Sequence, residues 1–235
     1  MAVWWRVLFP LFFLTLSWVY PCCSSTPGLL QAYSYSLKST RCTHARVQQL
    51  LRRYKEELLD DKQFEDRDLE LQTIPSLSTD FYHWLQMKDW ERLSAASRDL
   101  HTFWAHLDMK RKEMEGDKVE QRAAHRMGSM GKAKLTIPES IQRIQTDLRD
   151  LMTKVNFQLR YVNSFSVSPT SPPALTHPVS PSSTHQAPSK SLWNSRLEGY
   201  VILRDLERYL TKLARDFILL KTKQSGPPGA QPRGR

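Results

Sequence analysis

The sequence predicts an all-α protein, a bundle of four long helices in up-up-down-down order, and three observations carry that expectation. Four separate stretches repeat apolar residues at steps of three and four, and very little of the chain alternates with period two. Long connections follow the first and third stretches, which lets each second helix run parallel to its predecessor; an up-down bundle would use short turns. Finally, 235 residues with 40% apolar and 25% charged content suffice for one sizeable core and are short for two.

The chain opens with MAVWWRVLFPLFFLTLSWVY, one positive charge at Arg6 and an apolar run to Tyr20 that is short for a membrane span. With the small residues of PCCSST behind it, this reads as a secretory leader over residues 1–24, leaving a domain over 25–223 and a tail over 224–235. An uncleaved signal anchor is the alternative, although no second apolar block or basic stop-transfer cluster follows. Cleavage would leave Cys42 as the only cysteine, expected to be buried and inert on a helix. The net charge of +10 becomes +9 without Arg6. It favours acidic neighbours such as proteoglycans, acidic receptor patches or nucleic acid, and does not choose among them.

The first helix is expected over about 37–60, with Val47, Leu51, Tyr54 and Leu58 on one stripe. Asp60 and Asp61 end it, and Ile74-Pro75 with Ser76, Ser78 and Thr79 marks a connection. The second, over about 89–115, carries Trp90, Leu93, Ala96, Leu100, Phe103, Leu107 and Met114, with Phe103-Trp104 read as core. Gly116, Gly128 and Gly131 then break the pattern. Thr136 is placed near the cap and Pro138 in the first turn of a third helix over about 138–164, striped by Ile141, Ile144, Leu148, Leu151, Val155, Leu159 and Val162. Residues 167–190 are rich in Pro, Ser and Thr and hold no acidic residue, so they are expected to be an extended linker whose hydroxyls can carry sugars. The fourth helix, about 191–223, repeats Leu203, Leu206, Leu210, Leu213, Phe217 and Leu220, with Glu207, Arg208, Lys212 and Arg215 on its other faces. The tail SGPPGAQPRGR lacks large apolar residues and is expected to be disordered.

Catalytic patterns are missing. His101 and His106 stand five apart, on different sides of a helix, and there is no His-Glu-x-x-His. Lys132 in GSMGKAK is followed by Ala133, which breaks the phosphate-loop spacing, and no Gly-x-Ser-x-Gly elbow occurs. The expectation is therefore a protein that is not an enzyme and uses no metal or cofactor.

The run IPSLSTDFYHWL, continuing WERLSAASRDLHTFWAHL, resembles the corresponding region of ciliary neurotrophic factor. So do Leu197-x-Gly199-x-x-x-Leu203-x-x-Leu206 and Arg215-Asp216 in the fourth helix, and the lone Cys42 in RCTHARV. The resemblance runs loosely from Tyr35 to Leu220. It points to the interleukin-6 family of cytokines, in the branch of ciliary neurotrophic factor, cardiotrophin and cardiotrophin-like cytokine. The leader, the longer proline-rich loop and two extra residues before the second helix depart from ciliary neurotrophic factor itself.

What the resemblance implies is a secreted long-chain four-helix bundle cytokine that holds receptor chains together and triggers Janus kinase/STAT signalling. The family's Phe-x-x-Lys motif, which engages a leukemia inhibitory factor receptor-type chain, aligns with Trp193-Asn194-Ser195-Arg196, so Trp193 and Arg196 are the expected contacts. Phe81, Tyr82, Trp84 and Lys212 fall where this branch meets a ciliary neurotrophic factor receptor-type alpha chain, with one or two of those rings expected in the core. Arg46, Gln49, Arg53, Arg143 and Asp147 correspond to the surface for the shared signal-transducing chain. Nucleic acid is not an expected partner, and neither is membrane insertion after the leader is removed. The rival reading is a secreted amphipathic helical protein that binds lipid or glycosaminoglycan.

Overall fold

A computed structural model describes residues 28–75, 80–124, 135–166 and 191–225. While residues 224 and 225, assigned to the tail, are helical, the expectations about the leader, the proline-rich linker and the tail beyond Ser225 lie outside the described residues. Among them the chain is helical, with no strand: α1 (Leu29–Leu58), α2 (Phe81–Gln86), α3 (Asp89–Ala124), α4 (Ile137–Ser166) and α5 (Leu192–Ser225).

Two boundaries move relative to the sequence reading. α1 begins eight residues before position 37, because Ala32, Tyr33 and Ser36 bury themselves and continue the core stripe backwards. α3 passes through Gly116 to Ala124, since one glycine costs a helix only about 1 kcal/mol and the residues around it are good helix formers. Two end signals hold. Asp60 takes a φ of 56° just after α1, where a short polar side chain tolerates the left-handed conformation. The N-terminus of α4 is a capping box: Thr136 N–H donates to Glu139 Oε2 at 2.7 Å and Glu139 N–H donates to Thr136 Oγ1 at 3.4 Å.

α1 packs on α4 and α5, and α3 packs on the same two helices. Each of these four pairs is antiparallel. Between α1 and α4, Arg46 meets Asp147 and Arg53 meets Ser140; between α1 and α5, Gln48 meets Glu207 and Leu58 meets Arg196. Between α3 and α4, Ser97 meets Asn156 and Arg111 meets Gln145; between α3 and α5, Arg92 meets Asp216 and Lys110 meets Ser195. The apolar stripes meet in one core. On α5, Leu203, Leu206, Leu210, Leu213, Phe217 and Leu220 are each at most 1% exposed. Each such side chain contributes about 1.5–3 kcal/mol by leaving water, which is why no helix here needs to be stable alone.

Six expected core positions differ, of which Met114, Leu159 and Val162 are simply half-buried at the edge of the core. Trp90 lies in the first turn of α3 and is 42% exposed, because Arg92 and Leu93 take the inward direction there. Leu58 is only half-buried while Leu59, where α1 ends, goes inside. Trp104 is half-buried beside fully buried Phe103, with the Arg149 guanidinium 5.9 Å from its ring.

The connection after α1 is fastened to α5. Arg204, 5% exposed, donates from Nη1 to the Asp66 carbonyl at 2.5 Å and from Nη2 to the Leu69 carbonyl at 2.6 Å. Phe64 meets Tyr200 edge-on at 5.0 Å. A guanidinium can hold two carbonyls at once, so one α5 residue anchors a stretch that has no regular structure of its own.

Candidate functional site

Three surfaces are built from the residues that the sequence singles out. The first is the start of α5. Leu192 and Trp193 are 59% and 47% exposed, whereas Ser195, two residues on, is buried. Two large apolar side chains therefore project from a helix end whose next turn is already inside the bundle. Arg196 does not stand beside Trp193 as a free cation. It is half-buried, and its Nη1 donates to the Leu58 carbonyl at 3.1 Å, serving one of the acceptors left open at the end of α1.

The neighbouring turn is held by polar contacts. Tyr54 Oη donates to the Arg196 carbonyl at 3.0 Å, and Lys110 Nζ donates to the Ser195 carbonyl and to Ser195 Oγ. Ser195 Oγ donates to Glu113 Oε1 at 2.5 Å. Gly199 makes these contacts possible: a Cβ there would lie 2.1 Å from Tyr54 Oη and 2.9 Å from Lys110 Cε.

The second surface lies around α2, a six-residue helix with no buried residue. Phe81, Tyr82 and Leu85 are 62%, 71% and 48% exposed, and Trp84 is half-buried. The expectation that one or two of the rings belong to the core is corrected: Trp84 only rests on the bundle, because a polar node holds it there. Its Nε1 donates to Asp216 Oδ1 at 2.6 Å, and the same oxygen accepts from Arg92 Nη1 at 2.5 Å. Arg92 Nη2 donates to the Trp84 carbonyl at 2.5 Å, and its guanidinium carbon stands 4.9 Å from the indole. Phe81 and Trp84 then wall a groove of about 590 Å3 whose opposite side carries Arg208, Thr211, Lys212 and Arg215. On the far side of Lys212 the carboxyl of Asp99 is pushed up by burial, against the pull of Arg98 and Lys212. The Arg98–Asp99 pair is thus only half solvated, because Asp99 also faces buried Tyr209.

The third surface is the outer seam between α1 and α4. Arg46, Gln49, Arg53 and Arg143 line one groove of about 500 Å3. Arg46 grips Asp147 through both carboxylate oxygens at 2.5 Å, across the two helices. Arg53 is committed to Glu57 and to the Leu135 carbonyl, so the exposed residues of the set are Gln49, Arg143 and Arg46, the last already paired with Asp147. Beyond Arg46 and Asp147 a second groove of about 620 Å3 continues toward Tyr35 and Phe157. Cys42 lines it. The expectation of a buried thiol is therefore corrected, since position 42 falls on the α4-side flank of α1, outside the core stripe.

Sequence reasoning missed Leu192, Leu85, Tyr35 and Phe157. Each is an apolar residue off the core stripe, and that mismatch was the signal available. It also passed over Arg92 and named Asp216 only within the Arg215-Asp216 pair of the resemblance, whereas the two are partners across 124 residues of sequence. Among the described residues no group of three or more His, Cys, Asp or Glu side chains is arranged to hold a metal, and no helix is long and apolar enough to cross a membrane. Compared with protein-family models and with curated proteins, the chain matches none.

Proposed function

We propose that this protein is a secreted helical cytokine of the interleukin-6 family, in the ciliary neurotrophic factor and cardiotrophin branch, that acts by bridging receptor chains. The observation that carries the reading is the exposed Leu192–Trp193 pair at the start of α5, much of whose apolar surface stays outside the bundle. Large side chains exposed on a rigid helix end suit an interface anchor that fills an apolar pocket on a partner. The antiparallel pairing of α1 and α3 with both α4 and α5 agrees with up-up-down-down order, since it makes α1 run parallel to α3 and α4 to α5.

In this reading Trp193, with Arg196 behind it, meets a leukemia inhibitory factor receptor-type chain. Phe81, Tyr82, Trp84 and Lys212 meet an alpha chain, and the seam of Arg46, Gln49, Arg53, Arg143 and Asp147 meets the shared signal transducer. The opposing idea of an amphipathic lipid binder loses support from the closed core: the α5 stripe is already covered by other helices and needs no membrane. Trp193→Ala tests the reading through receptor phosphorylation on responsive cells. It should keep the circular dichroism of the parent and lose most signalling, because truncating a desolvated anchor costs about 2 kcal/mol or more of binding. Unchanged phosphorylation would reject Trp193 as a contact.

A further inference from the structure

We propose that Tyr54 and Lys110 are positioning residues for the exposed tip of α5: they reach through the gap at Gly199 and fix the direction in which Leu192 and Trp193 project. The inference rests on the reading of Trp193 as a receptor contact.

The tip has little else to hold it. Ser191 to Asn194 are all exposed, and the first amides of a helix have no partner within it, so an unsupported end frays. Directly after the tip, five hydrogen bonds converge on two consecutive residues. Tyr54 Oη, from α1, donates to the Arg196 carbonyl at 3.0 Å, and Lys110, from α3, donates to the carbonyl and hydroxyl of Ser195. Ser195 Oγ donates to Glu113 Oε1, and Arg196 Nη1 donates to the Leu58 carbonyl. The turn is thus held from two helices, on both sides of α5.

Neither donor can touch a partner itself. Tyr54 is 0% exposed and Lys110 is 4% exposed, so their loss can change binding only through α5. Both pass through space that any side chain at position 199 would occupy. The polar choice is also informative. Methionine at position 110 would fill similar space without the cost of desolvating an amine, but only the amine fixes a carbonyl in direction as well as distance.

The test is the double variant Tyr54→Phe, Lys110→Met in residues 25–235, which removes the donors and keeps the bulk. Amides of residues 196–200 should exchange with deuterium about tenfold faster or more, while amides of 206–217 keep their protection. Affinity for a leukemia inhibitory factor receptor-type ectodomain should fall about tenfold, mostly in the dissociation rate, and affinity for the shared signal transducer should stay unchanged. Unchanged exchange at 196–200 would overturn the proposal. So would faster exchange with unchanged affinity in a protein where Trp193→Ala abolishes binding. If Trp193→Ala binds normally, the contact reading has failed and the positioning role falls with it, while the exchange comparison still decides whether the clamp holds the turn. Should the double variant not fold, Tyr54→Phe alone gives the same exchange comparison.

Discussion

Replacing Gly199 with alanine puts two effects of opposite sign at one atom. In an ordinary helix interior the change stabilises by about 1 kcal/mol, because glycine pays more backbone entropy on folding. Here the added Cβ would stand 2.1 Å from Tyr54 Oη, 2.8 Å from Tyr54 Cζ and 2.9 Å from Lys110 Cε. Tyr54 is fully buried and cannot swing into solvent, so the ring or α5 must move. Overpacking of this kind costs about 1–3 kcal/mol. The displaced hydroxyl also gives up its bond to the Arg196 carbonyl, worth about 1 kcal/mol. The hydrogen-bond loss and the propensity gain roughly cancel, which leaves a net destabilisation of about 1–3 kcal/mol. For a domain of this size that lowers the melting temperature by roughly 2–12 °C. Thermal unfolding followed by circular dichroism at 222 nm reads it directly. A second variant sharpens the result: Tyr54→Phe combined with Gly199→Ala removes the closest atom and should recover part of the loss. A Gly199→Ala protein as stable as the parent, or more so, would refute the packing argument.

Asp216→Ala leaves the Arg92 guanidinium buried without its carboxylate, so it should cost about 3–5 kcal/mol in urea unfolding; a loss below about 1 kcal/mol would show that the node is not an obligatory pair. The carboxyl of Asp108 is held at about 2, below its ordinary 3.8, chiefly by hydrogen bonds from Lys112 and Arg111. Because the folded value is the lower one, this contribution is complete above about pH 4 and is lost as the pH falls toward 2. Asp108→Asn should therefore flatten the acid limb of melting temperature against pH in that window, and an identical limb would exclude the pairing as its source. Cys42 should react with a thiol reagent in folded residues 25–235 without denaturant, whereas protection until unfolding would restore the buried assignment.

The stripes of α4 and α5 could be read before any coordinates, because burial on one side of a long helix forces a repeat of three and four residues. Phe217 and Leu148 are inside for that reason. The same rule failed where Arg92 and Leu93 take the inward direction in place of Trp90, and where the stripe continues upstream of position 37, as at Tyr33. Arg46, Gln49, Arg53 and Arg143 are grouped through the family resemblance, and they do line one groove. The polar nodes were invisible. Asp216 with Arg92, Arg204 with the carbonyls of Asp66 and Leu69, and Lys110 with Ser195 each join residues far apart in sequence, and nothing periodic marks them. Gly199 was noticed as part of a motif, but its use depends on Tyr54 and Lys110 arriving from two other helices.

The central claim is that one molecule of this protein holds two different receptor chains together. The direct measurement is analytical ultracentrifugation of residues 25–235 with the purified ectodomains of the shared signal transducer and of a leukemia inhibitory factor receptor-type chain, alone and together, with and without an alpha-chain ectodomain. The account predicts a complex containing both signalling chains that forms only when the protein is present and loses the leukemia inhibitory factor receptor-type chain with Trp193→Ala. Ectodomains that sediment as they do alone, in every combination, would contradict it.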